Sequence, residues 1–230
     1  MSGEPAWLRA FSKTITGREN LSIVIALTSI LGLIGHLLFI PLFLWLDVKP
    51  MVFFNVGSCF LFLFCYFINR GGHTYWALGL GALEIVVHAV AAVAFLGWES
   101  GFGLYILGLS PLVFYSQRWR LSFKVWLTTA LCIVNTALFV VAMNVEPWSP
   151  VGRFQLTLTG MLNSVVVFVI FATLAYVFRL AATTTESVLT EANLALEQQA
   201  NTDPLTGLAN RRLMQEMLDQ SIAAYQSTGA

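Results

Sequence analysis

From Leu21 to Phe178 the chain is built from long apolar runs, without the strict alternation of a half-buried strand. A helix that crosses a bilayer needs about 20 mainly apolar residues, within a range of about 17 to 25. Six runs approach that length: Leu21 to Leu46, Met51 to Ile68, Trp76 to Leu96, Phe102 to Ser116, Leu121 to Met143 and Phe154 to Phe178. The fourth is short and interrupted by Gly103, Gly108 and Pro111, so a kinked or re-entrant helix is the alternative there. In residues 1–20, Trp7, Leu8, Phe11 and Ile15 recur at helical spacing opposite Arg9 and Lys13. That pattern predicts an amphipathic helix on the inner leaflet, with a frayed tail as the alternative. After Gly160 no glycine or proline occurs before Pro204, so the sixth span is expected to continue as one helix out of the membrane through residues 180–202.

Composition agrees with a membrane protein. Hydrophobic residues make up 57% of the 230 and charged ones 10%, against about 25% charge in soluble domains. The mean hydropathy is +0.76. Net charge is +0 and no basic block exists, which argues against nucleic acid as a partner. Cys59, Cys65 and Cys132 lie inside apolar segments without metal-ligand spacing and read as packing residues. The first apolar run is too long for a cleaved leader, whose apolar core is about 7 to 15 residues.

Charge placement orients the spans. Six crossings with an inner N terminus put Arg9, Lys13, Arg18, Arg70, Arg118, Arg120, Lys124 and Arg179 on the cytoplasmic side, leaving Lys49 and Arg153 outside. Omitting the fourth span would move Arg118, Arg120 and Lys124 to the side of Glu99 and break the alternation. The expected location is therefore a bacterial inner membrane, multi-pass, with both termini cytoplasmic. Trp45, Trp76, Trp98, Trp119 and Trp148 fall near span ends and read as interfacial anchors.

Past the membrane, Leu189 and Leu196 lie seven apart beside Val188, Ala192 and Ala195, the pattern of a short parallel coiled coil or of a solvated linker helix. The next residues, 203–212, read Asp-Pro-Leu-Thr-Gly-Leu-Ala-Asn-Arg-Arg. Pro204 ends the incoming helix, Gly207 permits a tight turn, and a new helix can begin near Ala209. Its stripe of Met214, Leu218, Ile222 and Tyr225 would pack on a sheet.

The string resembles the D-x-L-T-G-L-x-N-R-R opening of the GGDEF family of diguanylate cyclases, carried here by Asp203, Leu205, Thr206, Gly207, Leu208, Asn210, Arg211 and Arg212. The resemblance covers about the last thirty residues and identifies 203–230 as the start of an α/β GGDEF domain behind a signalling helix. It implies that Asp203 pairs with Arg211 or Arg212 to hold the joint, and that the parent protein condenses two GTP into cyclic di-GMP with Mg2+, as a dimer. The family's metal-binding Asp and GG[DE]EF loop do not occur in this sequence, so the chain alone is expected to be inactive, with no cofactor of its own. A truncated gene product or a piece of a longer chain would both fit.

Few ionisable residues lie inside the spans, and His36, Glu84 and His88 stand out. Glu84 and His88 are four apart on one face of the third span, and His36 lies at similar depth on the first. A proton-linked switch, a metal site and a polar ligand pocket are all open. The plainer reading is a protonated Glu84 that bonds His88 or Asn55 to glue the bundle. Haem on His36 and His88 lacks any supporting motif. His73, beside Gly71 and Gly72, is explained by its turn.

The fold expected is thus an all-α membrane protein: a six-helix bundle, a signalling helix and the truncated start of a GGDEF domain. The leading function is the sensor and transmitting region of a diguanylate cyclase, whose partners are lipid, a second copy through the signalling helix, and an unknown small ligand or proton. The alternatives are a six-span transporter, for which no internal repeat is evident, and a truncated regulatory partner that silences full-length cyclases.

Overall fold

The computed structural model describes residues 18–116, 118–203 and 205–228. The amphipathic segment expected before residue 18 and the helix-ending Pro204 lie outside the described residues. The fold is all-α: α1 (Arg18–Trp45), α2 (Lys49–Arg70), α3 (Thr74–Leu96), a 3₁₀ turn (Trp98–Ser100), α4 (Leu104–Leu107), α5 (Leu109–Tyr115), α6 (Leu121–Asn144), α7 (Arg153–Asn201) and α8 (Arg211–Thr228). Among the described residues the sole β feature is an isolated bridge between Thr202 and Ala209. Contacts divide the chain into two compact units, residues 1–181 and 182–230.

Five helical stretches of the first unit are long and apolar enough to cross a membrane: Leu21–Trp45, Lys49–Arg70, Thr74–Leu96, Leu121–Asn144 and Arg153–Leu180. The fourth expected run, Phe102 to Ser116, does not form one helix. It is divided at Gly108 into α4 and α5, and Leu104–Tyr115 as a whole would rise only about 18 Å against a hydrocarbon core of about 30 Å. Sequence chemistry explains the break. Pro111 has no N–H for the Leu107 carbonyl, and the Ser110 hydroxyl donates to that carbonyl instead, at 2.8 Å.

Two apolar layers cap the bundle. Phe43, Met51, Leu96 and Phe102 are fully buried in one, and Leu138 of α6 packs against it. Leu21, Cys65, Leu78, Leu109, Leu112 and Val177 form the other. Phe102 belongs to the first layer and Leu109 to the second, so the broken segment leads from one layer to the other, as α1, α2, α3, α6 and α7 do. Along its course through both layers, α2 buries Met51, Asn55, Ser58, Phe62, Cys65 and Asn69, spaced alternately four and three residues apart. Outward-facing side chains are large and apolar: Phe53 is 75% exposed, Phe168 74%, and α6 has no buried residue. In water such a surface would aggregate, whereas lipid chains solvate it.

Close approach of α1 and α2 depends on Gly32. A Cβ built there would lie 2.5 Å from Cε1 of the buried Phe62 ring, whereas one at Gly35 meets nothing within 4 Å. Gly32→Ala should therefore cost about 1–3 kcal/mol by overpacking. Gly35→Ala should be neutral or gain about 0.5–1 kcal/mol by removing a flexible helix residue. Reversible unfolding of the purified protein in mixed micelles would measure both, and equal losses would refute the packing assignment.

Candidate functional site

The α1, α2 and α3 stripes meet in a polar cluster between the two layers. His36, Asn55, Ser58, Glu84 and His88 are all buried, with Asn55 at 0% exposure and His88 at 4%. Asn55 Nδ2 donates to the Met51 carbonyl at 2.6 Å, a bond from the side chain back to its own helix. That contact orients the amide, because a carbonyl can only accept. Asn55 Oδ1 then faces His36 Nδ1 at 2.8 Å, so Nδ1 is the protonated nitrogen. The other ring nitrogen, Nε2, lies 3.3 Å from Glu84 Oε2. The Ser58 hydroxyl donates to Glu84 Oε1 at 2.5 Å.

Sequence reasoning singled out His36, Glu84 and His88, and these three residues are neighbours in the bundle. Glu84 does not take the expected partners: Ser58 and His36 face its carboxyl, while Asn55 is committed to His36. His88 contributes differently. Its ring meets His36 edge-on at 4.8 Å and is surrounded by Phe39, Phe43, Phe54 and Phe102, with centroids 5.4–6.2 Å away. His88 Nε2 and Glu84 Oε2 are buried without a hydrogen-bond partner. The edge-on imidazoles leave no gap for a porphyrin, so the pair does not fit haem. No group of three or more His, Cys, Asp or Glu able to hold a metal ion occurs among the described residues.

The aromatic rings around His88 lead to the last helix. Phe102 stacks near Tyr105 at 6.1 Å, and both meet Phe39, at 5.1 and 6.0 Å. The Tyr105 hydroxyl donates to Asn163 Oδ1 of α7 at 3.0 Å, and Asn163 Nδ2 donates to the Ser100 carbonyl at 2.8 Å. Gly160 permits this seat, because a Cβ there would strike the Glu99 carbonyl. Tyr105 and Asn163 were not singled out from the sequence; an Asn in the middle of an apolar run was the available signal.

In the second unit, the recognised string forms a closed turn between α7 and α8. Asp203 N–H donates to the Leu208 carbonyl, Gly207 N–H to the Asp203 carbonyl and Asn210 N–H to the Asn201 carbonyl, each at 2.8 Å. Gly207 has φ +69°, a left-handed conformation that favours glycine. Asn210 serves both helices. Its Oδ1 accepts from Leu213 N–H at 3.0 Å, capping α8, while its Nδ2 donates to the Ala200 carbonyl at 2.5 Å.

The expected Asp203–arginine pairing is not present among the described residues. Asp203 Oδ1 instead accepts from the N–H groups of Leu205 and Thr206 and from the Thr206 hydroxyl. Arg212 donates to Asn201 Oδ1 at 2.8 Å and lies 4.0 Å from Glu216. Donors within three residues thus engage one oxygen of the carboxylate, Oδ1, without a long side chain. Leu205, Leu208 and the Met214, Leu218, Ile222, Tyr225 stripe are exposed, as are Val188, Leu189 and Leu196. The sheet expected beneath the stripe does not occur among the described residues. Comparisons with family models, curated proteins and solved structures gave no match to this chain.

The Thr206 and Leu205 donors hold the Asp203 carboxyl below its usual 3.8, the Thr206 backbone bond first. The folded turn thus favours the carboxylate. Its contribution is complete above the ordinary carboxylate value and is lost as pH falls through the lowered one. Thr206→Ala should move Asp203 back towards 3.8. A carbon-detected NMR titration of the full chain in micelles would measure this, and an unchanged titration in the variant would refute the bond from the Thr206 hydroxyl.

Proposed function

We propose that this chain is the membrane sensor and transmitting region of a diguanylate-cyclase-type signalling protein. One observation carries the reading: α7 both receives the Tyr105–Asn163 bond next to the aromatic cage and ends at Asn201 in the DPLTGLANRR turn. A change at the His36–Glu84 pair thereby has a path of touching side chains into the same helix that enters the resembling motif. The layer-to-layer course of the broken α4–α5 segment, and Arg118, Arg120 and Lys124 after it, support six crossings of a bacterial inner membrane with cytoplasmic ends. The exposed Leu189 and Leu196 faces suit a second copy of the chain, as a dimeric output requires.

A transporter draws on one feature, the discontinuous α4–α5 segment, since broken helices line many transport sites. Here the buried ionisable groups sit on the unbroken α1 and α3. Their nearest polar partners are side chains of the bundle itself, which favours a switch over a pathway.

The test is cyclic di-GMP formation from GTP and Mg2+ in membranes carrying the complete open reading frame. Product formation is expected, and Tyr105→Phe, which keeps the ring but removes the Asn163 bond, should change the rate by about threefold, the effect of one membrane hydrogen bond. Absence of product from the wild-type protein would overturn the reading.

A further inference from the structure

We propose that the ligand of the buried cluster is a proton, taken up and released by the His36–Glu84 pair. This rests on the sensor reading for its use in signalling, but not for its chemistry. Asn55 fixes the His36 proton on Nδ1, so Nε2 presents either a lone pair or a second N–H to Glu84 Oε2, 3.3 Å away. One proton between these atoms makes the pair complementary, as imidazolium with carboxylate or as imidazole with carboxylic acid. Without it, two lone-pair-bearing atoms face each other and repel. A second proton on Oε2 sets N–H against O–H and also parts them. The pair therefore closes or opens with the gain or loss of one proton, exchanged with water, and no other atom need enter.

The surroundings favour that smallest ligand. Phe62 stacks on His36 at 5.2 Å, and the cage around His88 closes the other side. No Lys or Arg is buried among the described residues, so the cations available to balance Glu84 inside the bundle are histidines, and of these His36 is the one placed against its carboxyl, at 3.3 Å. The titratable groups near the pair are His88 from α3, whose ring meets His36, and Cys59 and Cys65 from α2, both within electrostatic reach of Glu84; Tyr105 from α4 stands behind Phe39 and is engaged by Asn163. A cavity of about 20 Å³ lies behind Phe62, bordered by Ser29 and Gly81. That is room for one water, which needs about 10–15 Å³. Phe62 both lines this cavity and covers His36, so a tilt of its ring would open the pair to water. His36 lies in contact with Phe39 and His88, so opening the pair pushes on the rings that reach Tyr105.

Infrared difference spectroscopy of this chain in lipid nanodiscs, stepped between about pH 5 and about pH 9, tests the proposal. A protonated-carboxyl band that changes with pH and is lost in Glu84→Gln is expected. Ser58→Ala, which keeps Glu84, should retain the band with a displaced midpoint. If Glu84→Gln fails to fold, that displaced midpoint still identifies the carboxyl. A wild-type spectrum with no pH-dependent carboxyl band, or a band unchanged in both variants, overturns the proposal. A band abolished by Zn2+ alone at constant pH would also overturn it, in favour of a metal. The spectrum is read without any output domain, so the result is independent of whether the complete protein makes cyclic di-GMP.

Discussion

A carboxyl group and two imidazoles within the apolar bundle must find their partners in the protein, because lipid offers none, and this requirement organises the centre of the molecule. It explains why α2 is not uniformly apolar. Asn55 and Ser58 sit on its buried stripe where His36 and Glu84 require an acceptor and a donor, while Asn55 returns its own amide protons to Met51. The same requirement fixes the helix spacing. Gly32 lets Phe62 lie across α1, and that ring covers the imidazole. The bonds of His36 Nδ1 and Glu84 Oε1 and the close packing of α1 on α2 are thus parts of one arrangement, in which Glu84 Oε2 and His88 Nε2 stay without a hydrogen-bond partner.

Around this centre the helices differ in how firmly they are held. α1, α2 and α3 are joined through their stripes, whereas the membrane part of α7 buries few residues, among them Thr159, Asn163, Val167 and Val177. Its specific attachments lie towards the two layers, at Gly160–Asn163 and at the Phe178 ring, 4.9 Å from Tyr115. A helix attached at separated points moves with little loss of apolar contact, since lipid and protein solvate its leucines and valines alike. The hydrogen bonds at Asn163 therefore carry more of its positional specificity than its area does.

The sequence makes the all-α class and the long apolar helices legible because length and hydropathy are local properties. It also exposes His36, Glu84 and His88, since ionisable residues are conspicuous in apolar runs. The partners are harder to read. Asn55 reads in the sequence as a partner for Glu84 rather than for His36, and Ser58 and Asn69 look like incidental polar residues until their four-and-three spacing with Met51, Asn55, Phe62 and Cys65 is recognised as one buried face. The Asn163–Tyr105 bond spans 58 positions, and no periodicity reports such a pair. Trp98 and Trp119, read as interfacial anchors, also pack on Phe139 and Tyr75, because a ring at a span end can face a neighbour as well as the interface.

The turn after α7 shows the converse case, in which a specific motif is explained by local chemistry. Asp203 engages donors two and three residues ahead, Gly207 supplies the left-handed step, and Asn210 ties the end of one helix to the start of the next. Each fixed position except the exposed leucines and Arg211 has a bond or a backbone conformation to account for it. Leu205 is 94% exposed and Leu208 69%, which isolated apolar side chains at a tight turn do not require. The turn geometry is thus self-sufficient, and the leucines are available for a surface that the turn itself does not provide.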